Sequence, residues 1–184
     1  MNASTTSFRA IRSTRAFTLI ELLIVVTLMG IAASILIPNM RHAVSFETEA
    51  AVRRIVSDLS FAQSDAMARQ ASRRVLFEEG GTGYRLLADP FDPETDVLYD
   101  PISDGGSDRY VIDFTTDRRF PNIAIEDVDF DGGNNYITYD VIGGPVNGEN
   151  ASSIGGTFVV SGNGERFEVR VSGFTGRVSV VKLE

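Results

Sequence analysis

Residues 17–37 read FTLIELLIVVTLMGIAASILI, an apolar run with one charged residue, Glu21. As an α-helix rising about 1.5 Å per residue, this run would be about 31 Å long, close to the roughly 30 Å hydrocarbon core of a bilayer. The preceding residues contain three arginines and no acid. Because basic flanks stay in the cytoplasm, the sequence predicts a membrane helix whose carboxyl-terminal side is exported.

Two simpler interpretations of this run are a cleaved secretory signal peptide and an ordinary signal anchor. The small residues at 32–34 suit a signal peptide, but the apolar run exceeds the usual length of about 7–15 residues and resumes at Ile35. Glu21 favours a third interpretation, because a carboxylate in a membrane helix costs several kcal/mol unless it is partnered. A cut between Ala16 and Phe17 would supply an amine four residues away, on the same chain or a neighbour.

The stretch RAFTLIE at residues 15–21, with Pro38 further along the helix, resembles the processing site of type IV pilins and type II secretion pseudopilins. In that family a prepilin peptidase removes the leader and methylates the new first residue. The resemblance implies cleavage between Ala16 and Phe17, N-methylation of Phe17, and an assembly role for Glu21, which would pair with the amine of an adjacent subunit. The family usually has Gly where this chain has Ala16.

Glycine and proline divide the chain into two parts. Sixteen of the 17 glycines and five of the six prolines lie at or after Gly80, so helix is predicted first and turn-linked strands later. Apolar residues with helical spacing predict an amphipathic helix covered by a β-sheet, or alternatively by a coiled-coil partner. They are Val52, Ile55, Val56, Leu59, Ala62, Ala66 and Met67. The opposite face is predicted to carry Arg53, Arg54, Asp58, Asp65 and Arg69.

Alternating hydrophobicity predicts short strands in the remainder. They span residues 74–77, 84–87, 110–114, 123–125, 136–142, 156–161, 165–172 and 176–183. The predicted fold is therefore α+β, a long N-terminal helix packed on an antiparallel β-sheet head. The predicted organisation is a cytoplasmic leader at 1–16, a transmembrane helix at 17–38, an amphipathic helix at 39–72 and a β-rich periplasmic head at 73–184.

Two further stretches, LSFAQSDAMARQ at 59–70 and GFTGRV at 173–178, resemble the H-type minor pseudopilins and T-type minor pilins. This resemblance implies a minor subunit of a type II secretion pseudopilus, held in the inner membrane with its head in the periplasm. Its implied partners are other pseudopilins or pilins, the prepilin peptidase and an inner-membrane assembly platform. The alternatives are a minor pilin of a type IV pilus and a membrane-anchored module that binds DNA or another polymer.

Composition argues against catalysis. The chain has no cysteine and one histidine, His42, so thiol chemistry, disulfides and multi-histidine metal sites are excluded. We expect neither enzymatic activity nor a cofactor. The formal charge of −8 becomes −11 once the three leader arginines are removed. Nucleic acid is therefore an unlikely partner. Some T-type relatives have a Gly-Arg-x-Arg motif that binds DNA, but the stretch that begins at Gly176 and Arg177 does not have the second arginine of this motif.

Two acidic stretches have functional and structural interpretations. Asp127, Asp129 and Asp131 alternate as in a calcium-binding loop. However, Thr138 occupies the twelfth position, where the EF-hand has glutamate. A strand with acids on its solvated face, ending at residues 132–133, is the alternative.

The acidic segment 89–108 is either a solvated surface loop or a partner-binding insertion.

Overall fold

A computed structural model describes residues 17–101 and 108–183, without the side chains of residues 35–45. The predicted leader, with Ala16, lies outside these described residues, as do the side chains of Pro38 and His42. The predicted transmembrane helix at 17–38 therefore falls only partly within them. No helix in the described part of the chain is both long and apolar enough to cross a membrane. The chain divides into two compact units, residues 1–41 and 42–184.

In the described residues one helix, α1 (Leu19–Arg69), confirms the predicted long N-terminal helix. It begins slightly later and ends slightly earlier than the predicted range of 17–72. Thr18 precedes its first residue, and the Thr18 Oγ1 accepts a hydrogen bond of 3.2 Å from the Glu21 backbone N–H. This is half of a capping box, with an acid in the first turn where the helix dipole favours it. The helix ends where Gln70 adopts a φ of 51° and the Ala71 N–H donates to the Ala66 carbonyl oxygen.

Within residues 73–101 and 108–183, nine antiparallel strands follow α1. They are β1 (Arg73–Phe77), β2 (Gly83–Ala88), β3 (Val111–Asp113), β4 (Ile123–Phe130), β5 (Tyr136–Tyr139), β6 (Pro145–Val146), β7 (Gly155–Gly162), β8 (Glu165–Ser172) and β9 (Val178–Leu183). The predicted strand at 136–142 is too long, because the Asp140 carboxylate accepts hydrogen bonds from the backbone N–H groups of Ile142 and Gly144 and closes a turn. Strand β6, which returns from this turn, was not predicted.

The strands form two sheets, of order β3-β2-β1-β5-β6 and β4-β7-β8-β9, instead of the one sheet predicted. Gly81, in the β1–β2 turn, explains part of this arrangement. The Ile125 backbone N–H donates to the Gly81 carbonyl oxygen at 2.9 Å, and a Cβ on Gly81 would lie 2.1 Å from the Ile125 oxygen. Glycine therefore lets the turn of the first sheet lie directly against β4 of the second.

The two-residue turn between β7 and β8 confirms the strongest turn predicted from the sequence. Gly162 pairs with Glu165, and Asn163 and Gly164 have φ values of 53° and 83°, as a type I′ hairpin turn requires. Along β8, Val169 and Val171 are buried while Arg166 and Arg170 are exposed. The predicted alternation of this strand is confirmed.

The core of residues 42–184 lies between one face of α1 and the two sheets. Helix residues Val52, Ile55 and Leu59 are buried in the same cluster as residues of seven strands, which confirms the predicted sheet cover and makes a coiled-coil partner unnecessary. Every buried residue that the structure describes lies at or beyond Thr48. The prediction that Asp58 lies on the solvated face is wrong, because its side chain enters this core.

Candidate functional site

The amino-terminal part of the described chain, residues 17–34, is exposed at every position. It presents eleven large apolar side chains to solvent: Phe17, Leu19, Ile20, Leu22, Leu23, Ile24, Val25, Val26, Leu28, Met29 and Ile31. Exposed apolar surface of this extent marks a site for lipid or for a protein partner. We call residues 17–34 the apolar helix segment.

The hydroxyl groups of the apolar helix segment are satisfied within the helix. Thr27 Oγ1 donates to the carbonyl oxygens of Leu23 and Ile24 at 2.9 and 2.8 Å, and Ser34 Oγ donates to the Ile31 oxygen at 2.9 Å. Hydroxyls bonded in this way do not need water. These two hydroxyl groups therefore suit an apolar environment, and Glu21 is the one charged side chain of residues 17–34.

Phe17 and Glu21 lie at the start of α1. Phe17 precedes the helix and is 77% exposed, and no cation of the described residues contacts the Glu21 carboxylate. The carboxylate is therefore open to a positive group from outside the described chain. The cleavage of the Ala16–Phe17 bond and the methylation of Phe17 remain predictions, because Ala16 lies outside the described residues.

The sequence signature called the prokaryotic N-terminal methylation motif matches residues 11–37. The amino terminus of the chain therefore resembles that of type IV pilin-like proteins. The match spans Ala16, Phe17 and Glu21 together with the apolar helix segment, and the resemblance predicted from residues 15–21 is confirmed. The α+β architecture, an N-terminal helix on antiparallel sheets, is confirmed as well.

One solved structure similar to this chain is the type IV minor pilin FimU of Pseudomonas aeruginosa strain PAO1. The two chains are 15% identical and superpose with a TM-score of 0.44, over 74% of this chain and 90% of FimU. No curated protein matches the chain in sequence.

A buried ionic cluster lies within residues 42–184, and sequence reasoning missed it. Asp58, only 3% exposed, accepts hydrogen bonds from Arg54 Nε at 2.9 Å, from the Tyr84 hydroxyl at 2.5 Å and from the Tyr110 hydroxyl at 3.0 Å. Burial and the Asp58 carboxylate raise the pKa of both tyrosines. Burial disfavours the Arg54 cation, but the Asp58 carboxylate outweighs it and the pKa of Arg54 rises. Both carboxylate oxygens are occupied, so this cluster holds the helix to β2 and to the chain at Tyr110.

Of the candidate calcium residues, Asp131 has a structural role. The Asp131 Oδ1 atom accepts hydrogen bonds of 2.8 Å from the Ser153 hydroxyl and from the Ile154 N–H, which fixes the start of β7. Asp127 lies 3.7 Å from Arg166. The described residues contain no group of three or more His, Cys, Asp or Glu side chains placed to hold a metal ion.

The acidic segment is described over residues 89–101 and at Asp108, and its described carboxylates partly organise the backbone. Asp92 Oδ1 accepts a hydrogen bond from the Glu94 N–H, and Asp96 Oδ2 accepts one from the Asp92 N–H, both at 2.8 Å. Residues 102–107 lie outside the described chain. The interpretation of the segment as a partner-binding insertion stays a prediction.

The basic residues near the carboxyl terminus are mostly neutralised. Arg166 pairs with Glu126 at 3.2 Å, Arg170 with Glu168 at 3.0 Å, and Lys182 with Glu165 at 2.7 Å. Phosphate binding depends on uncompensated positive charge, because its free energy comes from counterion release. These ion pairs reduce the uncompensated positive charge with which the second sheet could bind nucleic acid phosphates.

Asp65 connects the end of α1 to β1. It accepts hydrogen bonds from Arg69 Nε at 2.8 Å and from Arg73 Nε at 2.6 Å, and its side chain is largely buried. Burial alone would raise the pKa of Asp65, but the hydrogen bonds from Arg73 and Arg69 outweigh burial, and the pKa falls below the ordinary 3.8.

This lowered pKa predicts an acid-dependent loss of stability. A carboxyl whose pKa is lower in the folded state stabilises the fold above its unfolded pKa, here about 3.8. That stabilisation disappears as the pH falls from there through the folded value. We therefore expect Asp65→Asn to lower the unfolding free energy of residues 42–184 at pH 7 and to have a much smaller effect near pH 2. Urea titrations at both pH values measure this difference, and an equal loss at both would contradict it.

Proposed function

We propose that the chain is a structural minor subunit, a pseudopilin, of a type II secretion pseudopilus, and not an enzyme. The observation that supports this most is the methylation motif at residues 11–37, which opens a helix whose first part is apolar and exposed throughout. The proposed role is to join other pilin-like subunits in a filament that moves proteins across the outer membrane.

Before assembly, residues 17–37 would lie in the inner membrane with the β-rich head in the periplasm. A prepilin peptidase would cut the Ala16–Phe17 bond and methylate the new amine of Phe17. The arginines of the leader support this orientation, because they hold the amino terminus in the cytoplasm. The satisfied hydroxyls of Thr27 and Ser34 suit a lipid environment.

Assembly would bury the apolar helix segment against the helices of neighbouring subunits. Between helices in lipid the hydrophobic effect contributes little, since lipid tails are also apolar. Once the subunit leaves the bilayer, each large apolar side chain gains about 1.5–3 kcal/mol by staying out of water. This favours a filament core made of packed helices. Glu21, paired with the amine of a neighbour, would fix the axial register.

The amino terminus of the mature protein tests this proposal. Mass spectrometry of the membrane-extracted protein should find N-methylphenylalanine, from Phe17, as the first residue in cells with the prepilin peptidase. Cells without the peptidase should contain the full leader. A mature chain that keeps its leader, or that begins after residue 34 as a signal-peptide product would, contradicts the proposal.

A minor pilin of a type IV pilus is the second candidate, because pilins and pseudopilins share the processing motif. Deletion of the gene distinguishes the two. Loss of secreted proteins with normal pili supports the pseudopilus, whereas loss of surface pili with normal secretion supports the pilus.

A further inference from the structure

A groove with a polar lining lies on the outer face of the second sheet, opposite the face whose Phe158 and Val169 are buried in the core. Its volume of about 830 Å³ lies within the range of small-molecule sites in proteins. We call it the polar groove. The polar side chains that line it are Asp129, Thr157, Arg170, Ser172, Arg177 and Ser179.

The register of the second sheet brings four of these side chains into one row. Asp129 lies opposite Thr157, Thr157 opposite Arg170, and Arg170 opposite Ser179. Residues opposite each other on neighbouring strands point to the same face of a sheet. Because neighbouring strands are about 4.8 Å apart, the row extends for about 14 Å across four strands.

Most of the polar side chains in the groove are available to a ligand. Within the described residues, the Asp129 carboxylate and the Arg177 guanidinium form no ion pair and no hydrogen bond. The hydroxyls of Thr157, Ser172 and Ser179 form no hydrogen bond there either. The Ser172 N–H donates to the Arg177 carbonyl oxygen at 3.0 Å, which places Arg177 beside the row. The groove therefore combines unused donors with unused acceptors.

Close packing of the backbone keeps side chains out of part of the groove. Gly156 and Gly173 both line it, and a Cβ on either would lie 2.3 Å from a backbone oxygen, that of Asp129 or that of Ser153. Only glycine fits at these two positions without a shift of the backbone. The groove is therefore fixed by the fold before a ligand binds, which limits the conformational entropy lost on binding.

The chemistry of the polar groove argues against several classes of ligand. Nucleic acid and other polyanions would meet the Asp129 carboxylate and few arginines. A divalent cation would require several oxygen ligands, and the described residues contain no group of three side chains placed to hold a metal. An added peptide strand would need unpaired backbone groups, whereas β7 and β8 are paired on both sides.

A saccharide matches the groups that remain. Its hydroxyls donate to the Asp129 carboxylate, which only accepts, and they exchange hydrogen bonds with the hydroxyls of the groove. Arginine binds a carboxylate through two parallel hydrogen bonds, and Arg177 has no acidic partner among the described residues. We propose that the polar groove binds a saccharide that carries one carboxylate, with the acid at Arg177. This inference goes beyond the proposed function and does not depend on it.

Two acidic disaccharides and a neutral one test the proposal. N-acetylglucosaminyl-N-acetylmuramic acid represents the glycan of the cell wall, and glucuronosyl-N-acetylglucosamine represents an acidic polysaccharide outside the cell. Diacetylchitobiose is the neutral counterpart. Nuclear magnetic resonance titration of the full chain, in a detergent without a sugar headgroup, should give a Kd for at least one acidic disaccharide about tenfold below that for diacetylchitobiose. The acidic disaccharide that binds more tightly identifies the source of the ligand.

Three variants locate the binding site. Arg177→Gln should raise the Kd of the acidic disaccharide about tenfold and remove its advantage over diacetylchitobiose, because the charge-assisted pair is lost. Asp129→Asn should weaken the binding of acidic and neutral disaccharides alike. The matched control is Arg166→Gln, because Arg166 is an exposed arginine of β8 that pairs with Glu126 outside the groove, and its Kd should be unchanged. All three thermal midpoints should stay near that of the parent chain, because the replaced side chains are exposed.

Several results would overturn the proposal. They are the absence of binding by both acidic disaccharides, equal affinity for diacetylchitobiose, and an unchanged Kd in Arg177→Gln. Acetyl-trialanine, a peptide with one carboxylate, is the remaining probe. Affinity for it equal to that for the acidic disaccharides would assign the groove to peptides and overturn the saccharide proposal.

Discussion

A Glu21→Ala variant should reach the membrane at the normal level but be depleted from filaments by about 30-fold or more. Removing one partner of a desolvated charge pair costs at least about 2 kcal/mol, much of it because the other charge is left unpaired. Here that partner would be the amine of Phe17 on an adjacent subunit. Quantitative immunoblots of membrane and sheared-filament fractions measure the distribution.

Two further variants show whether charge is the cause. Glu21→Gln keeps the shape of the side chain and should assemble as poorly as Glu21→Ala. Thr27→Ala removes a hydroxyl whose hydrogen bonds stay within its own helix, so it should assemble normally. Normal assembly of both Glu21 variants would contradict the proposed charge pairing of Glu21, although the chain could still be a filament subunit.

Replacing Asp58 by alanine should destabilise the head by about 3–5 kcal/mol, because it leaves the Arg54 cation without its principal buried partner. The hydroxyls of Tyr84 and Tyr110 would lose their acceptor at the same time. Urea unfolding of residues 42–184, which contain every buried residue described, measures the loss. Leader processing should not alter this loss of stability, because the Asp58 cluster lies wholly within residues 42–184.

The control for Asp58 is Glu49, nine residues earlier on the same helix. Glu49 pairs with Arg53 at the same four-residue spacing, but both side chains are exposed, so Glu49→Ala should cost less than about 1 kcal/mol. A similar loss from both variants would mean that burial does not determine the value of the Asp58 cluster.

Features with short-range causes could be predicted from the sequence. The ends of β8 were predicted correctly, because alternating residues and the adjacent Asn163–Gly164 turn define them locally. The amino-terminal site is also local, since Phe17, Glu21 and the apolar helix segment are contiguous in sequence. The partner proposed for Glu21 could be predicted only as a class, because it would belong to another molecule or to a terminus made by cleavage.

The errors concern contacts between residues far apart in the chain. Helical spacing predicts Asp58 on the face opposite the apolar residues, whereas its burial depends on Tyr84 and Tyr110, which follow 26 and 52 residues later. The division into two sheets depends in part on the contact between Gly81 and Ile125. Neither pairing leaves a periodic pattern in the sequence.

Two hydrogen bonds make the packing of the helix depend on residues that are synthesised much later. They run from Thr48 to Gly162 and from Gln63 to Thr175 and join residues 114 and 112 positions apart. A nascent chain therefore carries an incompletely covered apolar helix until residues 162–175 have emerged from the ribosome. We expect a chain in that state to be prone to aggregation and to require a chaperone or the translocation machinery.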